Sequence, residues 1–163
     1  MSGAIMMSDA FLECVARQFF AVLPGVRGVP DEKVPVLRAI WDNDLAGRGR
    51  FGEDFILIYR IVRGRKLPRN ESWFKNGEAV HQLRNRLVHR HPEFITFTTS
   101  GSRESESRLE SAFKSVYARM GKTNPTPEDM ELDAACAWWC VDAAEEFVRG
   151  FCKLADLTPT FLI

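Results

Sequence analysis

From residue 132 to residue 154 an apolar side chain recurs at nearly every third or fourth position: Leu132, Cys136, Trp139, Ala143, Phe147, Phe151 and Leu154. On a helix that turns 100° per residue this spacing draws one continuous stripe. Trp138, Val141, Val148 and Cys152 begin a second stripe beside it. A helix apolar on two sides is either central in a bundle or packed against another chain, because one stripe would otherwise stay in water. A chain built around such a segment is expected to be all-α.

The remaining sequence supplies its partners. Ser8 reads as the N-cap of a first helix to about Leu23, with Phe11, Val15, Phe19 and Val22 in register and Pro24-Gly25 as the stop. Residues 1–7 are then a frayed start. Asp31 opens a second helix in which Val34, Leu37, Trp41 and Leu45 recur, Pro35 sits in the tolerant first turn, and Gly47 to Gly49 end it. Phe51 to Val62 is apolar nearly all round, and periodicity alone does not separate a short buried helix from a strand. The helical phase of Phe51, Phe55, Ile58, Tyr59 and Val62, with no partner strand evident, favours helix. Gly64 to Asn70 forms a basic loop. It leads to an amphipathic helix over 72–91, with Trp73, Val80, Leu83 and Leu87 on one side and Glu78, Gln82, Asn85 and His89 on the other.

Beyond Pro92 the composition changes. Glu93 to Thr99 favours extended backbone, and residues 98–107 make a polar loop expected to be mobile beside the preceding helix. Leu109, Phe113, Val116, Tyr117 and Met120 mark another helix, ended by Gly121, and Asn124 to Pro127 form a turn before the long C-terminal helix. The expectation is an antiparallel bundle of five or six helices in a single domain over residues 1–163. A chain of 163 residues with 45% apolar composition is long enough to bury a real core.

Charge is balanced overall, with 22 basic and 22 acidic side chains, so no global field recruits nucleic acid. Its distribution is uneven. From Arg60 to His91 nine Lys or Arg stand against two Glu, while residues 101–163 hold seven basic and eleven acidic groups. Phosphate is therefore drawn to the middle of the chain. Met1 to Met7 has neither a basic region followed by an apolar core nor a membrane span, so a cytoplasmic protein with no membrane association is expected. Cys14, Cys136, Cys140 and Cys152 lack Cys-x-x-Cys spacing and fall within apolar helical patterns, which fits reduced core thiols rather than a zinc site. No metal and no cofactor are expected.

Chemistry concentrates at Arg84-Asn85-Arg86-Leu87-Val88-His89, followed by Pro92. Six residues contain an obligate cation, an amide and a titratable imidazole. Asn85 and His89 lie one above the other, whereas Arg84 is about 140° around from His89, so a straight helix does not aim both at one phosphate. The long Arg84 stem can run over apolar surface, Pro92 disfavours helix at His91, and a second copy related by a two-fold axis would bring the same groups into one cleft. His81, well around the helix from His89, reads as a half-buried polar residue or a rim contact.

The Arg84, Asn85, three residues, His89 pattern resembles the HEPN superfamily, whose motif is Arg, a polar residue that is often Asn, three or more residues, then His near the end of a bundle helix. The surrounding amphipathic helices also look like that family. The resemblance implies a dimerising bundle in which Arg and His from two subunits form a metal-independent endoribonuclease site, in a toxin or anti-phage effector with an antitoxin or regulatory partner. His91 departs from one toxin branch, which has Tyr two residues after the motif His as the site of inactivating nucleotide transfer. That departure counts against a nucleotidyltransferase antitoxin, not against nuclease chemistry.

On this reading His89 is the proton-transfer group, Arg84 holds the phosphate as negative charge builds on it, and Asn85 orients His89 or bonds the substrate. Arg86, Arg90 and Lys66 are the expected RNA-binding cations. Two readings from other classes stand beside it: a HEPN-like RNA- or nucleotide-binding module that does not cut, and a helical dimerisation or scaffold protein with an incidental basic loop. Solvated His and Arg residues on a polar helix face are common, which keeps both open.

Overall fold

A computed structural model describes residues 2–22, 26–43, 51–88, 108–122 and 133–159. Among these residues there are six α-helices, α1 (Ser2–Ala21), α2 (Val34–Asp42), α3 (Glu53–Arg63), α4 (Ser72–Val88), α5 (Arg108–Arg119) and α6 (Ala134–Ala155), with a 3-10 turn, Asp31–Lys33, leading into α2. Among the described residues there is no sheet. Arg27 and Thr158 exchange backbone hydrogen bonds of 3.0 Å in each direction, which ties the chain after α6 to the α1–α2 connection.

The doubly apolar segment is α6, and it sits centrally, packed against α1, α3 and α4. Asp133 starts it, accepting from the backbone N–H of Cys136 at 2.6 Å. Cys136, Ala143, Phe147 and Phe151 of the first stripe are buried, as are Val148 and Cys152 of the second. The second stripe is not covered along its whole length, for Trp138 is 69% exposed and Val141 is exposed beside it.

α4 crosses α6 closely because glycine stands at both ends of the contact. A Cβ on Gly77 of α4 would meet the Phe147 ring at 2.5 Å, and one on Gly150 of α6 would meet the Trp73 ring at 2.6 Å. Each missing side chain makes room for the partner's aromatic ring. Around this crossing Phe51, Phe55, Phe74, Phe147 and Phe151 pack largely edge to face, with centroid separations from 4.7 to 6.2 Å. On the other flank of α4, Ala79, Val80 and Leu83 meet Phe113, Val116 and Tyr117 of α5 and Cys136, Cys140 and Ala143 of α6.

Several boundaries differ from expectation. α1 begins at Ser2, and Ile5 is fully buried, so the segment expected to fray is docked into the second half of the core. Ser8 lies within the helix, its hydroxyl donating to the Ala4 carbonyl at 2.8 Å. A serine in mid-helix satisfies itself one turn back, so its presence alone does not mark a start. Residues 51–62 are helical from Glu53, while Phe51 and Gly52 form the preceding turn. In α2 Leu37 is buried and Ile40 partly so, whereas Trp41 is 41% exposed, which rotates the buried side away from the Trp41 register. Cys14 is exposed and corrects the expectation of four core thiols; Cys136, Cys140 and Cys152 are buried and free. Leu45, residues 89–107 and the turn over 124–127 lie outside the described residues. No described helix is long and apolar enough to cross a membrane.

Candidate functional site

The polar end of α4 is organised by a carboxylate from another helix. Asp9 stands on α1 in phase with Ile5, Leu12 and Ala16, and its side chain is only 2% exposed. A charge taken that far from water needs partners, and it has two on α4. His81 Nδ1 lies 2.9 Å from Asp9 Oδ1, and Arg84 Nε lies 3.4 Å from Asp9 Oδ2. One helical turn after His81, Asn85 Nδ2 lies 2.8 Å from His81 Nε2, and the Asn85 carbonyl oxygen accepts from Arg84 Nη1 at 2.9 Å. Four residues therefore close a ring: Asp9, His81, Asn85, Arg84 and back to Asp9.

The protons in this ring are set by its two ends. Arg84 only donates and the Asp9 carboxylate only accepts, so an ion pair joins them directly and hydrogen bonds run from one to the other through Asn85 and His81. The long path requires neutral His81 with its proton on Nδ1. An imidazolium would turn an N–H toward the Asn85 amide, and reversing that amide would set it donor to donor against Arg84. Above the ring His81 stacks on Phe51, centroid to centroid 5.0 Å and 29° from parallel. His81 is thus held by a carboxylate, an amide and a phenyl face, and its side chain is 22% exposed.

Placement of the expected site residues is uneven. Arg84 and Asn85 are brought together, Arg84 with 32% of its side chain exposed. The ring uses Arg84 Nε and Nη1, and the Nη2 edge is no part of it. Asn85 turns back to His81 rather than standing on a solvated polar face. His89 and Arg90 lie outside the described residues, α4 being described to Val88. Arg86 and Lys66 are exposed. Within the basic loop Leu67 is buried, and Arg69 lies over the Phe74 ring at 5.4 Å while pairing with Glu78 at 3.6 Å, so that part of the loop is fastened to α4.

Asp9 was the residue that the motif did not reveal, yet the sequence contained its signal: an acid in helical phase with a core stripe, where an unpaired charge is not tolerated. The two neighbouring thiols of α6 make a different pair. A hydrogen bond from Cys140 lowers the Cys136 thiol below its ordinary value of 9.0, and the same bond together with burial raises Cys140. Burial alone pushes Cys152 up to about 12. Among the described residues no group of three or more His, Cys, Asp or Glu side chains is placed to hold a metal ion. The chain matches no known family model, and neither a curated protein nor a solved structure is measurably similar to it.

Proposed function

We propose that this protein is a HEPN-like, metal-independent endoribonuclease that works as a homodimer, with Arg84 stabilising the scissile phosphate and His89 transferring protons. The observation that carries the reading is the ring at the end of α4. It holds a guanidinium in one orientation, leaves part of it exposed, and does so five residues before His89 in sequence. A pre-positioned fork donor stabilises charge as it develops on a phosphoryl oxygen, without waiting for a flexible side chain to order.

The chemistry needs no redox step. A base removes the proton of the ribose 2′-hydroxyl, the 2′-oxygen bonds to phosphorus, and the phosphorus to 5′-oxygen bond breaks. An acid then protonates the departing 5′-oxygen, leaving a 2′,3′-cyclic phosphate and a 5′-hydroxyl. An imidazole near neutrality serves either role, and two protomers about a two-fold axis supply one for each. Incubating the full chain with a long RNA in EDTA, beside His89→Ala, tests this. Fragments with cyclic phosphate ends that survive chelation and vanish in the variant support it; intact RNA with the wild-type protein removes it.

One observation favours a second reading, a module that binds RNA without cutting. The Asn85 amide bonds both His81 and Arg84, so the ring accounts for this polar residue without any role in proton transfer. Such a module binds 2′-O-methyl RNA with an affinity that falls steeply as salt is added, and leaves native RNA whole.

A further inference from the structure

Asp9 is an odd neighbour for a phosphate-binding arginine. Its negative charge lies 3.4 Å from Arg84 Nε, and on electrostatic grounds alone it should repel the anion that Arg84 is proposed to hold. The geometry gives it a different part. A guanidinium on four rotatable bonds has many orientations, and an ion pair at Nε together with a hydrogen bond at Nη1 restricts them. Asp9 supplies the ion pair directly, at Nε. It supports the hydrogen bond through His81: by accepting from Nδ1–H it leaves Nε2 as an acceptor, which fixes the Asn85 amide with its oxygen toward Arg84 Nη1. The Phe51 ring stacked on His81 keeps the imidazole in the plane this relay needs.

We propose that Asp9 on α1 is the positioning residue of the RNA phosphate site on α4, acting on Arg84 both directly and through His81 and Asn85, so that the Nη2 edge meets the phosphate. The inference rests on the reading of Arg84 as a phosphate ligand. It adds a second helix to the site and assigns His81 a part in the relay rather than in proton transfer.

The sign of one substitution tests it. Asp9→Asn removes a negative charge at nearly constant shape. If Asp9 were only a neighbouring charge, or only a tie between helices, the folded variant would bind 2′-O-methyl RNA as well as the wild type or more tightly. If Asp9 positions Arg84, affinity falls by about tenfold despite the gained positive charge, the size expected for one misplaced phosphate contact. Fluorescence anisotropy with the full chain reads the affinity, circular dichroism confirms the helices, and cleavage in EDTA is followed alongside.

The outcomes separate the two proposals. A wild type that cuts, with a folded Asp9→Asn that binds and cuts equally well, overturns the positioning role and leaves the nuclease. A wild type that binds without cutting, and loses affinity in Asp9→Asn, keeps the positioning role and removes the nuclease. A wild type that neither binds nor cuts overturns both. Should Asp9→Asn not fold, the wild-type Arg84 side-chain ¹⁵N signals decide. A Nε–H resonance unmoved by 2′-O-methyl RNA while the Nη2 resonances shift supports the role, and a displaced Nε–H overturns it.

Discussion

The aromatic crossing of α4 with α6 and the polar ring joining α4 to α1 lie at different places along one helix and are built on opposite principles. At the crossing Phe51, Phe55, Phe74, Phe147 and Phe151 share their contacts, so each ring has several neighbours and no single orientation is required by charge. In the ring Asp9, His81, Asn85 and Arg84 each hold the next, and the direction of every hydrogen bond is fixed by a donor-only end and an acceptor-only end. Apolar packing carries most of the stability and little directional information. The ring stabilises less for its size but specifies where each nitrogen points, which is what a binding site requires.

Cutting the aromatic side at its centre should have the largest effect. Phe147→Ala is expected to destabilise the chain by about 4 kcal/mol, the middle of the range for truncating a buried aromatic, and a urea melt giving less than half of that would show that the crossing collapses to fill the gap. Next comes the ring. Arg84→Met is expected to cost about 3 kcal/mol, because it removes one partner of a buried carboxylate while the other remains. A loss no larger than that of an exposed ion pair would mean Asp9 is satisfied by His81 alone.

A smaller effect is expected where the two helices touch. Gly77→Ala should cost about 2 kcal/mol by pushing its methyl group against the Phe147 ring, and a neutral result in thermal melts would show that the ring can slide aside. The smallest belongs to the uncovered part of α6. Trp138→Gln is expected to change monomer stability by under about 0.5 kcal/mol, as for other surface substitutions, and a larger loss that depends on protein concentration would reveal that a second molecule covers this face.

Legibility from sequence followed the same division. Helices α3, α5 and α6 could be read from spacing because their apolar side chains return every turn, and the reading of residues 51–62 as helix agrees with α3 from Glu53. The start of α1 could not be read that way. Ser8 has the chemistry of a cap, and only the docking of Ile5 against the α4, α5 and α6 cluster shows that the helix extends back to Ser2. Arg84 and Asn85 were evident as a polar pair, but their bonding was not, since half of it comes from Asp9 on another helix and from His81 one turn back. His81 was visible as a half-buried polar group without its partner.

What the sequence alone determined was the set of helices and, for α3, α5 and α6, their main buried side, because periodicity is local: each apolar residue and its neighbours on the same face lie within one or two turns. Tertiary packing decided the rest. Asp9 carries no instruction about which cation it will meet, and α4 has no preference for which flank faces α1. The ring exists because Gly77 and Gly150 let α4 settle closely on α6, while α1 packs against both helices and carries Asp9 in among its apolar neighbours. Once out of water, the carboxylate is held by whatever donors that arrangement presents, and those are His81 and Arg84.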